Sequence, residues 1–377
     1  MLTEVSVIIT ANTSWYVYNF RKNTILHFLE LGCKVLVVSP YDPYADKLIA
    51  IGCEFIHIKI DSKGINPIND VILFFRFYSI FLKKKPNVVL NFTPKNNIYS
   101  TLAASLLNIK VVNNIAGLGS VFIKNGMVSQ IVKVLYKISQ PKAGMIFFQN
   151  EEDRHLFLRH NLVDRAKTER IPGSGVDISR FTVRLAPDDG IVRFLLVARM
   201  LYEKGILHYV EAARYFRNKY GDKVEFRLLG FLDVDNPSAI SCEQMNNWED
   251  EGCIQYLGVS DKVEDEIGFV DCVVLPSYYR EGVPKSLLEA AAMGKPIVTT
   301  NNVGCRETVS HGVNGYLCQP RSTESLIESL ELIIGMSHQD RTDMGMKSRN
   351  KAESEFDEKI VIGQYVDTIK KLLSGPN

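Results

Sequence analysis

A chain of 377 residues is long for a single hydrophobic core, so two domains are expected. Its composition, 46% hydrophobic and 23% charged, is that of an ordinary folded protein, and no run of about 18 apolar residues is present to cross a bilayer. The net charge of +1 hides an asymmetry: residues 1–150 hold 16 basic and 7 acidic side chains, and the remainder 28 and 36, which points to an anionic partner for the front half.

The first segment, "MLTEVSVIITANTSW", carries Glu4 early and has too short an apolar run for a secretory leader. Short apolar runs then alternate with amphipathic stretches. Residues 5–10, 34–39, 53–60, 87–92, 111–116 and 144–150 read as buried parallel strands, with helices such as 19–31 and 69–85 between them. After "RLAPDDG" (184–190) the pattern restarts. Strands are expected at 192–200, 224–230, 254–258, 272–277 and 296–300, and helices at 205–220, 241–251 and 285–293. Strand and helix taking turns predicts α/β architecture, two doubly wound Rossmann-like domains facing a cleft, with a terminal amphipathic helix at 356–373. Seven cysteines without a C-x-x-C pair, and scattered histidines, predict reduced thiols and no structural zinc.

The stretch "REGVPKSLLEAAAMGKPIV" (280–298) places Glu281 just before a helix start and Glu289 a turn inside it. Pro284 suits the first turn, and Val283 is a poor cap, so the amides of Lys285, Ser286 and Leu287 are available to an anion or polar ligand. Carboxylates there are suited to sugar hydroxyls. The plain alternative is a Glu289–Lys285 pair at i, i+4 and a solvated Glu281. In "VARMLYEKGI" (197–206), Arg199 and Lys204 follow a strand and precede a helix, the position at which such folds bind phosphate; an Arg199–Glu203 surface pair is the alternative. Asp233 and Asp235 in "FLDVDNP" have the spacing of an Asp-x-Asp metal site but sit in a turn-rich loop, so no metal is expected. Gly175 in "IPGSGVD" and the Gly117 and Gly119 pair in "NNIAGLGS" supply turns or close backbone approach. No G-x-G-x-x-G follows the first strand, so a nicotinamide dinucleotide is not expected. Residues 72–86 and 120–142, aromatic, aliphatic and basic, are candidates both for packed crossover helices and for interfacial helices on a membrane.

The segment 280–317 closely resembles family 4 retaining glycosyltransferases, with their Glu-x7-Glu pair, and "ARMLYEKGI", "PGSGVDISRF", "DNPSAI" and "FTPKNNIYSTLAA…GLGSVF" match in the family's order. Within it the chain is similar to N-acetylgalactosaminyltransferases that extend polyprenyl-diphosphate-linked sugars in bacterial surface-glycan assembly. The resemblance implies the GT-B fold: an acceptor-binding domain over 1–185, a nucleotide-sugar-binding domain over 190–355, and a helix over 356–377 packing back on the first domain. It implies a retaining, metal-independent reaction without a cofactor. Arg199, Lys204 and Glu281 would be catalytic, with the first two holding the donor diphosphate. Glu289 would bind the ribose, and Gly282, Val283, Pro284, Lys285, Ser286 and Gly175 would complete the donor site. Asn19, Arg21, Lys95, Gly117 and Gly119 would face the acceptor. The chain departs from many relatives at Asn12-Thr13-Ser14, where they carry Gly-Gly, and at Pro94, where some carry histidine.

The partners implied are a UDP-sugar, a polyprenyl-diphosphate-linked saccharide and anionic lipids of the inner membrane's cytoplasmic face. Two other readings stand beside this one: a UDP-sugar epimerase of the same architecture, and a sugar-nucleotide-sensing module. Nucleic-acid binding has no accompanying recognition motif.

Overall fold

The computed structural model describes residues 2–61, 64, 66–118 and 126–375. They form two compact units, one running to Ser174 and resuming at Lys359, the other Gly175–Glu358. Among the described residues the first unit holds seven parallel strands: β1 (Ser6–Thr10), β2 (Lys34–Ser39), β3 (Glu54–His57), β4 (Val88–Asn91), β5 (Lys110–Ile115), β6 (Met145–Phe148) and β7 (Thr168–Arg170). Their order is β3-β2-β1-β4-β5-β6-β7. β1 shows why such strands read as unbroken apolar runs: Val7 and Ile9 enter the core on one face of the sheet, Ile8 the core on the other. Helix Ser14–Glu30 covers the first face with Val17, Ile25 and Phe28. The terminal helix Glu358–Ser374 joins it there through Val361, Tyr365 and Ile369. Helices Pro67–Lys84, Thr101–Leu106 and Met127–Ser139 cover the second face.

The second unit repeats the scheme with six parallel strands: β8 (Val192–Val197), β9 (Val224–Leu229), β10 (Gln255–Tyr256), β11 (Cys272–Leu275), β12 (Ile297–Thr300) and β13 (Gly315–Cys318). The order β10-β9-β8-β11-β12-β13 reverses direction between β8 and β11, as the first sheet does between β1 and β4. In doubly wound sheets ligands bind outside the carboxyl ends of the strands, at the point where the strand order reverses.

Two strands escape the apolar-run reading. β7 is "TER" and β13 is "GYLC", short and at sheet edges, where partly polar sequence is tolerated. The units divide at Ser174–Gly175 rather than at 183–190, because Val176 and Phe181 already lie in the second core and Val176 bridges Asp357. Residues 184–190 are instead a surface segment of the second unit, held by Arg184–Asp265 and Asp189–Arg193 ion pairs.

The terminal helix is fastened to the first sheet by a buried polar contact. The Tyr365 hydroxyl donates to Asn114 Oδ1 at 2.5 Å, and Asn114 Nδ2 donates to the Asn91 carbonyl at 3.0 Å. Tyr365→Phe keeps the ring packing but strands a buried acceptor. It is expected to lower stability by about 1–3 kcal/mol in urea unfolding without changing nucleotide affinity.

Candidate active site

The loops after β8 and β11 meet at the reversal point of the second sheet. Gly205, in the left-handed region at φ +79°, starts helix Ile206–Tyr220, and a Cβ there would lie 2.2 Å from the Pro276 carbonyl oxygen. The contact brings the two loops edge to edge, and the Tyr278 and Tyr279 amides both donate to the Glu203 carbonyl, at 3.0 and 3.2 Å. From the other side, β12 props up the second loop: the Thr300 hydroxyl donates to the Ser277 carbonyl and Asn302 Nδ2 to the Tyr279 carbonyl. Gly304 (φ +82°) leaves room for the carbonyl of Gly282, which a Cβ would meet at 1.5 Å.

Lys204 and Glu281 project into this junction. The Lys204 ammonium donates to Glu281 Oε1, which also accepts from the Ser277 hydroxyl at 2.9 Å. The two side chains are only 13% and 12% exposed, so Glu281 is not a solvated loop residue. The Tyr279 ring lies 5.5 Å from the same ammonium. Arg199, exposed at the start of the first loop, is close enough for its charge to act on the Tyr279 hydroxyl. Among the described residues it forms no ion pair with Glu203, so the plain surface-pair reading does not hold. Cys305 packs nearby, and burial pushes its thiol up to about 12, leaving it protonated and unsuited to nucleophilic attack.

Helix Lys285–Ala292 corrects one detail: Pro284 is its N-cap rather than its first residue, and no side chain caps it. The Leu287 amide is taken by the Pro284 carbonyl at 3.1 Å, leaving it unavailable to a ligand. Glu289 is 8% exposed, and among the described residues no group donates a hydrogen bond to its carboxylate. Burial raises its pKa to about 7, against the downward pull of Lys285 and Arg180; Glu264 adds slightly to the rise. The Lys285 charge is thus near, yet no close i, i+4 ion pair neutralises Glu289. Gly175 has a packing explanation, since a Cβ would lie 2.4 Å from the Glu358 Cα.

The first unit treats its expected residues differently. Arg21 is 1% exposed, its guanidinium 4.3 Å from the Phe92 ring centre and 5.8 Å from that of Tyr365, so it is a core residue and not an acceptor contact. Lys95 is bound to Asp70 at 2.6 Å, which also accepts from the Tyr99 hydroxyl. Asn19 donates to the Trp15 carbonyl within its own helix. Gly117 has φ +106°, and Gly119 lies outside the described residues. The loop after β1 is filled: Thr13 caps helix Ser14–Glu30, the Ser14 hydroxyl donates to the Pro40 carbonyl, and Asp42 accepts from the Trp15 amide. Among the described residues no three His, Cys, Asp or Glu side chains cluster as a metal site would.

Sequence reasoning missed Ser277, Tyr279 and Gly304. Ser277 was legible only as the end of "CVVLPS", and Gly304 only as a lone glycine in "NNVGC".

Two parallel doubly wound sheets of this order define the GT-B glycosyltransferase fold. A glycosyltransferase from Rickettsia africae superposes with a TM-score of 0.80 at 18% identity, covering 99% of this chain and 100% of that one. Anabaena HepE in complex with UDP-glucose does so with 0.80 at 16% identity, covering 97% and 100%. Residues 179–351 match the family "Glycosyl transferases group 1" and residues 6–150 the family "Glycosyl transferase 4-like". The chain therefore belongs to the glycosyltransferases of this two-domain kind. A curated relative, N,N'-diacetylbacillosaminyl-diphospho-undecaprenol alpha-1,3-N-acetylgalactosaminyltransferase of Campylobacter jejuni, is 27% identical over 376 residues, spanning 95% of this chain and 96% of its own. The UDP-Gal:alpha-D-GlcNAc-diphosphoundecaprenol alpha-1,3-galactosyltransferase of Escherichia coli is 26% identical over 82% of this chain and 81% of its own.

Glu289 yields a pH-dependent prediction. A carboxyl that binds its proton more tightly folded than unfolded favours folding below its unfolded value of about 4.5, and this stabilisation is lost as pH rises through 7. Glu289→Gln is expected to unfold like the parent at pH 4 and to be more stable by up to roughly 3 kcal/mol at pH 8, read by urea titration at each pH.

Proposed function

We propose that the chain transfers a sugar, with N-acetylgalactosamine the first choice, from its UDP derivative to a hydroxyl of a polyprenyl-diphosphate-linked saccharide. The new bond is α, with retention, and the product belongs to O-antigen or a related surface polysaccharide. What carries this reading is the sparsely exposed Lys204 beside Glu281, with Arg199 exposed on the same loop as Lys204, where the strand order of the second sheet reverses. The names of the two curated relatives support the acceptor class. The second of them keeps galactose as a specific second choice of donor.

In this reading Arg199 and Lys204 meet the charge that gathers on the diphosphate as the bond from the anomeric carbon to its oxygen breaks. The acceptor oxygen bonds to the anomeric carbon on the same face, and its proton passes to the departing phosphate oxygen. No separate base is then required. Glu281 holds donor-sugar hydroxyls with its free lone pairs, and Glu289 the ribose hydroxyls. In the absence of donor, Glu281 is the counter-ion of Lys204, so a bound diphosphate competes with it for the ammonium.

A panel of radiolabelled UDP-sugars offered with a lipid-diphosphate-GlcNAc acceptor should move one label, most strongly from UDP-GalNAc. Epimerisation without any acceptor is the contrary result. Arg199→Ala, Lys204→Ala and Glu281→Ala are each expected to cut turnover by about 10²-fold or more. Excess chelator should leave turnover unchanged, and loss in chelator restored by manganese would refute the metal-free assignment. Glu281→Gln, which removes the counter-ion but not the side chain, should bind UDP several-fold more tightly, roughly within the range of charge-assisted contacts, while turning over more slowly.

A further inference from the structure

Helices Pro67–Lys84 and Met127–Ser139 pack on the same face of the first sheet. Phe77 and Phe81 of one and Tyr136 of the other share a core with Ile8, Val38 and Val89, and both helices rest on the turn Asn96–Ser100. Their outward sides are also apolar. Ile68, Ile72, Phe75 and Leu82 are exposed along the first helix, Phe75 by 60%. Met127, Ile131, Val134 and Ile138 are exposed along the second, at the i, i+4, i+7, i+11 spacing of a single stripe, Met127 by 81%. A helix from a water-soluble surface would show the reverse pattern, and stripes of this size mark a surface with a partner.

The charge pattern identifies the partner. From Val71 to Asn150 the chain has no aspartate or glutamate and ten lysines and arginines. Asp70, just before this stretch, is already bound by Lys95 and Tyr99. Lys84 reaches Glu54, but Lys83, Lys85 and Lys137 are exposed beside the apolar stripes, with Lys133 half-buried. A second copy meeting this face with its own would set cation against cation. An anionic bilayer matches both properties, taking apolar side chains below its headgroups and attracting lysines to them.

We propose that these two helices are the surface by which the chain lies on an anionic membrane. The stripes of Ile72, Phe75, Ile131 and Val134 enter the boundary between headgroups and acyl chains, and the flanking lysines meet the lipid anions. The choice of a bilayer as occupant rests on the lipid-linked acceptor proposed above, while the surface stands on its own exposure and charge.

The test uses the full chain with vesicles free of polyprenyl lipid. Binding is expected to vesicles of phosphatidylglycerol and phosphatidylethanolamine and to be weak on phosphatidylcholine alone. Ile131→Glu with Val134→Glu, or Ile72→Glu with Phe75→Glu, should each lower partitioning by about tenfold or more, and Lys133→Glu with Lys137→Glu should do so most at low salt. Leu332→Glu, at an exposed position of the second unit, should change nothing. UDP affinity and transfer to a short, water-soluble acceptor analogue should survive in all these variants, so loss of transfer in the parent protein would count against the proposed reaction and not against the surface. The proposal is overturned if the parent chain ignores anionic vesicles, if the paired substitutions leave partitioning intact, or if sedimentation reveals a dimer that they dissociate.

Discussion

One ion pair fixes the geometry on which the second unit's site depends. Lys204 and Glu281 lie 77 positions apart in sequence and meet with little water around them. Removing both charges from water costs more than a surface pair returns, so the contact is better understood as setting position than as adding stability. It needs the Gly205 backbone against Pro276, Glu203 bonded to the backbone of the next loop, and Ser277 sharing the carboxylate. A larger residue at 205 would separate the two loops, and with them the cation from the carboxylate.

The two units use the same architecture with opposite treatments of the reversal point. In the first, the helix start after β1 is capped by Thr13 and faced by Asp42, and serine side chains fill the turn. A negative ligand would meet an aspartate there. In the second, helices Ile206–Tyr220 and Lys285–Ala292 begin at Gly205 and Pro284 without side-chain caps, and cations stand beside both. Positive helix ends without a capping side chain, together with Lys204 and Arg199, favour phosphate. The asymmetry supports a donor in the second unit through local electrostatics, independently of any relative.

The legible parts of the fold were those in which one constraint dominates. "VSVIIT" and "CVVLPS" announce themselves because strands covered on both faces must be apolar at every position. β7 and β13 do not, because an edge strand is released from that constraint. The unit boundary was misplaced because a proline and acidic residues mark any surface segment, and Val176 and Phe181 reveal their core only in three dimensions. At the site, the positions of Lys204 and Glu281 just before helix starts were readable, but their contact was not, since a local pattern carries no information about a partner 77 residues away. Arg21 shows the opposite failure. A helix arginine reads as exposed, and only the fold brings Phe92 and Tyr365 close enough for an aromatic environment to hold it.

Charge is segregated by position, and this segregation has a physical consequence. In the second unit basic side chains commonly stand opposite carboxylates, as in Arg180–Glu264, Arg193–Asp189 and Arg341–Asp271. Such pairs are short-ranged to the outside, because each cation's field is cancelled within a few ångströms. From Val71 to Asn150 the segment holds ten cations and no carboxylate of its own; Glu54 and Asp70 from outside it meet Lys84 and Lys95, and the remaining excess gives that part of the first unit a net positive field. The field decays over about 8 Å at physiological ionic strength, so it acts on what is nearly in contact. On the proposals above, a reacting anion would meet localised charge, held by the Lys204–Glu281 geometry, whereas a surface of many anions would be met by diffuse charge that needs no register. One chain thus carries both kinds of electrostatics, and separation of the carboxylates along the sequence keeps them distinct.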